Sequence, residues 1–266
     1  MIIDVSLPKA SFQNGYARSQ GESAYPNLWK GLIRAFPTSL GQTGLTTLFD
    51  FSPYRKHGTF NATSNADWQY SQKGLVLDYD GANDRVGLGT GLMYGLTRFS
   101  VSAWIRSTDL TGNNGIFTCW PSAGNLSVLL RTSGANLQFF LYTTGQAGGT
   151  FTTVSTNTWY HVVCTYDGTT MRMYINGILD DTTFAQSGAI GQTDVATTIG
   201  GDASFSEGSW QGQIGDVFVW NREITATEAM QLYLGASPLT LRRRFFGAAG
   251  SAVVPAFARS FGFIIG

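Results

Sequence analysis

Alternation with a period of two constrains this chain more than any other feature. In TMRMYING, Met171, Met173 and Ile175 alternate with Arg172, Tyr174 and Asn176, and the run ends in Asn176-Gly177. A helix needs its apolar residues three and four apart, whereas a strand sends successive side chains to opposite faces. The Asn-Gly pair suits a two-residue hairpin turn, because both residues tolerate positive φ. FSVSAWIRS repeats the pattern, with Val101, Ala103 and Ile105 on one side and Ser102, Trp104 and Arg106 on the other. SVLLRTSGANLQFFLYT reads as a second hairpin turning at Ser133–Asn136. Only ITATEAMQLYLG departs from this rhythm: Thr225 and Glu228 have capping-box spacing, and Gly235 can close a short helix. Many short strands and one late helix predict an all-β fold, a jelly-roll sandwich of two antiparallel sheets.

Length and charge narrow the class further. The chain has 266 residues, 43% of them hydrophobic, which fits one core with extensions. Only 13% are charged and the formal net charge is +0, so a nucleic-acid partner is not expected. MIIDVSLPKASFQNGYARSQ lacks a basic stretch followed by an apolar run, and no secretory signal is expected from it. Cys119 and Cys164 are the only cysteines, and free thiols are expected in that setting.

Five stretches carry a family resemblance: GLIRAFPTSLGQTGLTTLFDFSPYRKHGTF, GLVLDYDGANDRVGLG, FSVSAWIRS, NTWYHVVCTYDGTTMRMYINGILD and IGGDASFSEGSWQGQIGDVFVWNREITATEAMQLY. In this order they resemble the LamG-like branch of the laminin-G-like/concanavalin A-like lectin superfamily. The resemblance implies a jelly roll over residues 29–239, leaving residues 1–28 and 240–266 as terminal arms. It also implies that Trp104, Trp159 and Trp220 pack the core.

Candidate sites follow from residue chemistry within that frame. Glu22, Glu207, Glu223 and Glu228 are the only glutamates, and no strand presents alternating acids. Paired carboxylates across a cleft are what glycoside hydrolysis requires, so a non-enzymatic protein is expected. Members of the superfamily often hold calcium, and DYDGAND offers hard oxygen ligands. Asp80, Asn83 and Asp84, joined by Asp216, are the expected Ca²⁺ ligands, against a reading as turn formers. For a surface glycan, Trp68, Trp120 and Trp210 are the loop aromatics expected to stack on sugar rings. His161 is expected to make a hydrogen bond within or between strands.

The tail SPLTLRRRFFGAAGSAVVPAFARSFGFIIG places Arg242, Arg243 and Arg244 before Phe245 and Phe246. Pro255 and Arg259 make it a poor membrane span, so an assembly arm is expected. Its start resembles the basic tails of LamG-like virion proteins. The reading that follows is a virion structural protein, a capsid decoration or head-attached protein of a tailed phage assembled in the host cytoplasm, with virion proteins and further copies of itself as partners. The alternative is a carbohydrate-binding or adhesion module on a tail fibre, in the extracellular space or on a cell surface.

Overall fold

The structure, a computed structural model, describes residues 15–38, 46–60, 67–119, 127–143, 145–191, 196–201 and 208–242. The alternating runs form two sheets in which the named strands pair antiparallel. Across the first sheet run Ile178–Leu179, Thr170–Ile175, Tyr160–Tyr166, Phe99–Ser107, Gln211–Trp220, Gly74–Asp80 and Asp67–Ser71, with Leu32–Phe36 also paired to Gln211–Trp220 and Phe184–Ala185 to Thr170–Ile175. The second runs Gln146–Thr153, Asn136–Tyr142, Val128–Ser133, Asn113–Cys119, Ala196–Ile199, Val86–Thr90, Gly58–Phe60 and Thr47–Leu48. Neighbours in space are distant in sequence, as in a jelly roll.

Alternation decides what the sandwich encloses. Phe99, Val101, Ala103 and Ile105 face inward and meet Phe117, Leu130, Leu137 and Phe139 of the opposite sheet. Each large side chain so enclosed contributes about 1.5–3 kcal/mol. The turn residues behave as their chemistry predicts: Asn176 and Gly177 have φ of 52° and 79°. The buried Asp50 carboxylate accepts hydrogen bonds from the Ala35, Ser52 and Lys56 amides at 2.8–2.9 Å, fixing the crossing after Leu32–Phe36.

A second core lies on the outer face of the first sheet, where Val163, Tyr174, Phe218 and Trp220 are covered by two helices. The helix α1, Pro26–Trp29, is one turn long. The helix α2, Ala226–Tyr233, begins with the capping box: the Thr225 hydroxyl accepts from the Glu228 amide at 3.3 Å, and the Glu228 carboxylate accepts from the Thr225 amide at 3.0 Å. The chain leaves α2 through Gly235, whose φ is 93°. Arg222 joins the helices, donating to both Glu228 carboxylate oxygens at 2.7 and 2.8 Å and to the Asn27 carbonyl at 2.7 Å.

This second core corrects the expected limits of the arms. Ala17 and Leu28 are fully buried in it beside Leu239. The Ala17 amide donates to the Leu239 carbonyl at 2.8 Å, and Ser23 bridges to Leu241. Residues 15–28 therefore belong to the body, because they cover an apolar sheet face that would otherwise meet water. Arg242 is exposed and its amide donates to the Glu22 carbonyl at 2.7 Å. Arg243, Arg244, Phe245 and Phe246 lie outside the described residues.

Candidate functional site

Outward-facing residues of the first sheet are covered at one end by the second core and open at the other. Arg106 and Gln213 face each other across Phe99–Ser107 and Gln211–Trp220, on the side opposite Ile105 and Ile214. Beside them is a cleft of about 290 Å³, bordered by Tyr70, Ser71, Arg106, Asn157, Trp159 and Gln213. Tyr70 and Ser71 come from the Asp67–Ser71/Gly74–Asp80 hairpin, and Asn157 and Trp159 from the loop leading into Tyr160–Tyr166.

The walls are rigidly mounted. Asn157 adopts a φ of 59°, and its amide donates to the Ser107 carbonyl at 2.7 Å. This turn brings its side-chain oxygen within 2.8 Å of the Arg106 guanidinium, which donates to it. The Trp159 ring stands edge-on to Trp104, with centroids 6.5 Å apart. Gln213 is only 9% exposed, and its side-chain amide makes no hydrogen bond among the described residues. Its amide, at the cleft wall, is left to hydrogen-bond whatever enters.

Trp104 divides this cleft from a neighbouring chamber of about 430 Å³, bordered by Pro37, His161, Asp216, Leu239 and Leu241. His161 packs against Trp104 at a ring separation of 5.0 Å. Its backbone makes the expected inter-strand bond, the amide donating to the Asn176 side-chain oxygen at 2.9 Å, but the ring atom Nδ1 is buried without a partner. Burial, reinforced by the nearby Lys73 ammonium, pushes the imidazole pKa down to about 3, so the ring is neutral at ordinary pH. The Lys73 ammonium lies over the Trp104 face, 3.6 Å from its centroid.

Several predicted site residues stand elsewhere. Trp210 is fully buried in the sandwich core, drawn in by its amide bond to the Gly200 carbonyl at 2.8 Å, so it cannot stack on a sugar. Trp68 pairs with Leu77 and packs partly buried against the same core. Trp120 lies outside the described residues. Conversely, Trp159, expected as core, borders the open cleft, whereas Trp104 and Trp220 are buried as expected.

The expected calcium ligands are not brought together. One Asp80 oxygen accepts from the Ala82 amide at 2.8 Å, and one Asp84 oxygen accepts from the Asp80 amide at 3.0 Å. These are turn-forming roles. Asp80 pairs with Gln211, which places Asp216 five residues, about 16 Å, farther along the strand. There Asp216 sits in a bulge at φ 45°, held by the Thr38 hydroxyl. Asn83 stays in the turn near Asp84. The second Asp84 oxygen and the Tyr79 hydroxyl are buried without partners, yet no group of three His, Cys, Asp or Glu suited to a metal exists among the described residues. These four residues do not fit a calcium ion.

With the architecture in place, the chain's lineage can be stated. The sequence model of the concanavalin A-like lectin/glucanases superfamily matches residues 80–230, more than half of the chain, and the protein belongs to that superfamily. Comparison with curated protein sequences returns no match. Among solved structures, domain 4 of AbnA, a GH43 extracellular arabinanase from Geobacillus stearothermophilus in complex with arabinotriose, is similar at 16% identity with a TM-score of 0.62, covering 76% of this chain and 98% of that one. The botulinum neurotoxin serotype G binding domain gives 19% identity and a TM-score of 0.57 over 76% of this chain. The binding domain of botulinum neurotoxin DC, in complex with SialylT, gives 16% and 0.59 over 79%. The chain spans about half the length of these two neurotoxin chains, covering 50% and 52% of them. At such identities the likeness is one of fold.

Proposed function

We propose that this protein is a non-catalytic carbohydrate-binding module that takes a saccharide in the Tyr70–Arg106–Trp159–Gln213 cleft. The observation that carries the reading is the Gln213 side-chain amide bordering the cleft beside a hydrogen-bonded Arg106–Asn157 pair and the ring of Trp159. Vicinal hydroxyls both donate and accept, as an amide does, and the apolar face of a sugar ring packs on an aromatic one. Among the described residues, no Asp or Glu borders this cleft, which favours binding without hydrolysis.

The neighbours support the same reading, since one is seen with arabinotriose and another with SialylT. The arabinanase is extracellular, which favours an extracellular or cell-surface setting. Among the described residues, no helix is long and apolar enough to cross a membrane. A place on a virion would rest on residues 243–266, outside the described part of the chain. Titration calorimetry against oligosaccharides tests the reading. Trp159→Ala and Gln213→Ala should each weaken binding at least about tenfold, or ~1.4 kcal/mol, with the melting temperature held. Binding that survives both substitutions would place the site elsewhere.

A further inference from the structure

The cleft carries more positive charge than a neutral sugar needs. Arg106 borders it and Lys73, next to the lining residue Gln72, holds its ammonium over Trp104 at the cleft's edge, and the ion pairs among the described residues, Arg172 with Asp167 and Glu223 and Arg222 with Glu228, include neither. The side-chain partners of Arg106 and Lys73 are neutral: the Asn157 oxygen and the Trp104 ring.

Lys73 is the sharper signal. Its hairpin position between Ser71 and Gly74 is set by its own amide, which donates to the Ser71 hydroxyl at 3.0 Å. The ammonium then rests on the indole, where part of its water is stripped away and a cation–π contact returns a fraction of the loss. Desolvation lowers its pKa, with no carboxylate acting against it. Of the acids on this sheet, Asp78 is the strand partner of Gln213 and of Asp67, and Asp216 borders the neighbouring chamber with Trp104.

Resting on the saccharide reading above, we propose that the ligand is acidic, a sugar bearing a carboxylate that Lys73 and Arg106 receive while Gln213 and Trp159 hold its hydroxyl-bearing ring. A charge-assisted hydrogen bond is about twice as strong as a neutral one. Arg106 has one guanidinium nitrogen engaged by Asn157, and its remaining N–H groups can donate to a carboxylate. The net charge of +0 argues for an acid group placed locally rather than for a polyanion drawn to the whole surface.

Three probes decide the matter by calorimetry on the full chain: trigalacturonate, sialyllactose and the neutral arabinotriose. The proposal expects one of the two acidic sugars to bind at least about tenfold more tightly than arabinotriose, with an affinity that falls as salt rises. Which acid binds separates a uronic from a sialic ligand. Lys73→Met keeps an apolar stem on Trp104 and should erase the preference without shifting the melting temperature, and Arg106→Gln should weaken it. Equal affinity for acidic and neutral sugars overturns the acidic ligand and leaves the saccharide reading standing. Binding of none of the three, repeated with a wider glycan panel, overturns both.

Discussion

The indole N–H of Trp220 donates to the carbonyl of Leu28 at 2.6 Å, across 192 residues of chain. It ties the one-turn helix α1 to the last strand of the sandwich, in the middle of the second core. Trp220→Phe keeps an aromatic ring and leaves the Leu28 carbonyl without its donor. That loss should cost about 1–3 kcal/mol, read from urea denaturation. Deleting residues 1–28 should be worse, because Ala17, Leu28 and the α1 carbonyls leave together, and an unchanged midpoint would return residues 15–28 to the status of a free arm.

Acid should weaken the fold through His161. Its folded pKa of about 3 is below the unfolded value of about 6.5, so the unfolded chain binds the proton first. The neutral ring's contribution is complete above about pH 6.5 and falls as pH drops toward 3, by up to about 1.4 kcal/mol per pH unit. His161→Phe should flatten the curve in that window, and parallel curves for both proteins would contradict it.

The Arg222–Glu228 pair makes a separate acid-sensitive contribution. Burial opposes the charged form, but the Arg222 guanidinium and the Thr225 amide hold the Glu228 carboxyl below its ordinary pKa. Its stabilisation is present above about pH 4.5 and lost below it. Glu228→Gln removes both the charge pair and the reciprocal cap, and should cost about 2–4 kcal/mol at neutral pH. Loss of α2 helicity in circular dichroism, with the sandwich signal kept, locates the effect.

Metal removal should do nothing measurable. With Asp80 and Asp84 each giving an oxygen to turn amides and Asp216 down the strand, EDTA should leave the melting temperature unchanged. A drop of several degrees would mean that the free Asp84 oxygen meets an ion held by residues outside the described ones.

Cys119 and Cys164 are free and buried, and burial pushes both thiols above their ordinary pKa. Maleimide should modify neither in the native protein and both in denaturant, with the intact mass showing two unoxidised cysteines.

The sequence made the turns and strand faces legible because those depend on local chemistry. Asn176-Gly177 and Thr225 with Glu228 could be read outright, and Val101, Ala103 and Ile105 could be assigned to one face. What covers the other face depends on residues brought in from far away. Trp104 on an outer strand face looks the same whether Leu28 and α2 bury its neighbours or leave a cleft beside it. Trp159 and Trp210 show the same ambiguity in reverse, one an apparent core residue at the open face, the other an apparent loop residue in the core. Ala17 and Leu28 gave no warning, since isolated apolar residues without periodicity announce no partner. The nearest available signal for the site was Arg106, a cation two residues from Trp104 on the polar face of FSVSAWIRS.

The pairing of Ser23 with Leu241 brings the chain's two described ends to one spot, and Gly15 and Leu241 both border the chamber behind Trp104. Ends and cleft thus share a single side of the sandwich, with one indole between them. A saccharide held as proposed and extending past Trp104 would meet Gly15 and Leu241 at the chamber's border. On that reading the paired segments around Ser23 and Leu241 stand like a wall at the end of a corridor, and would favour capturing the tip of a glycan over gripping the middle of one.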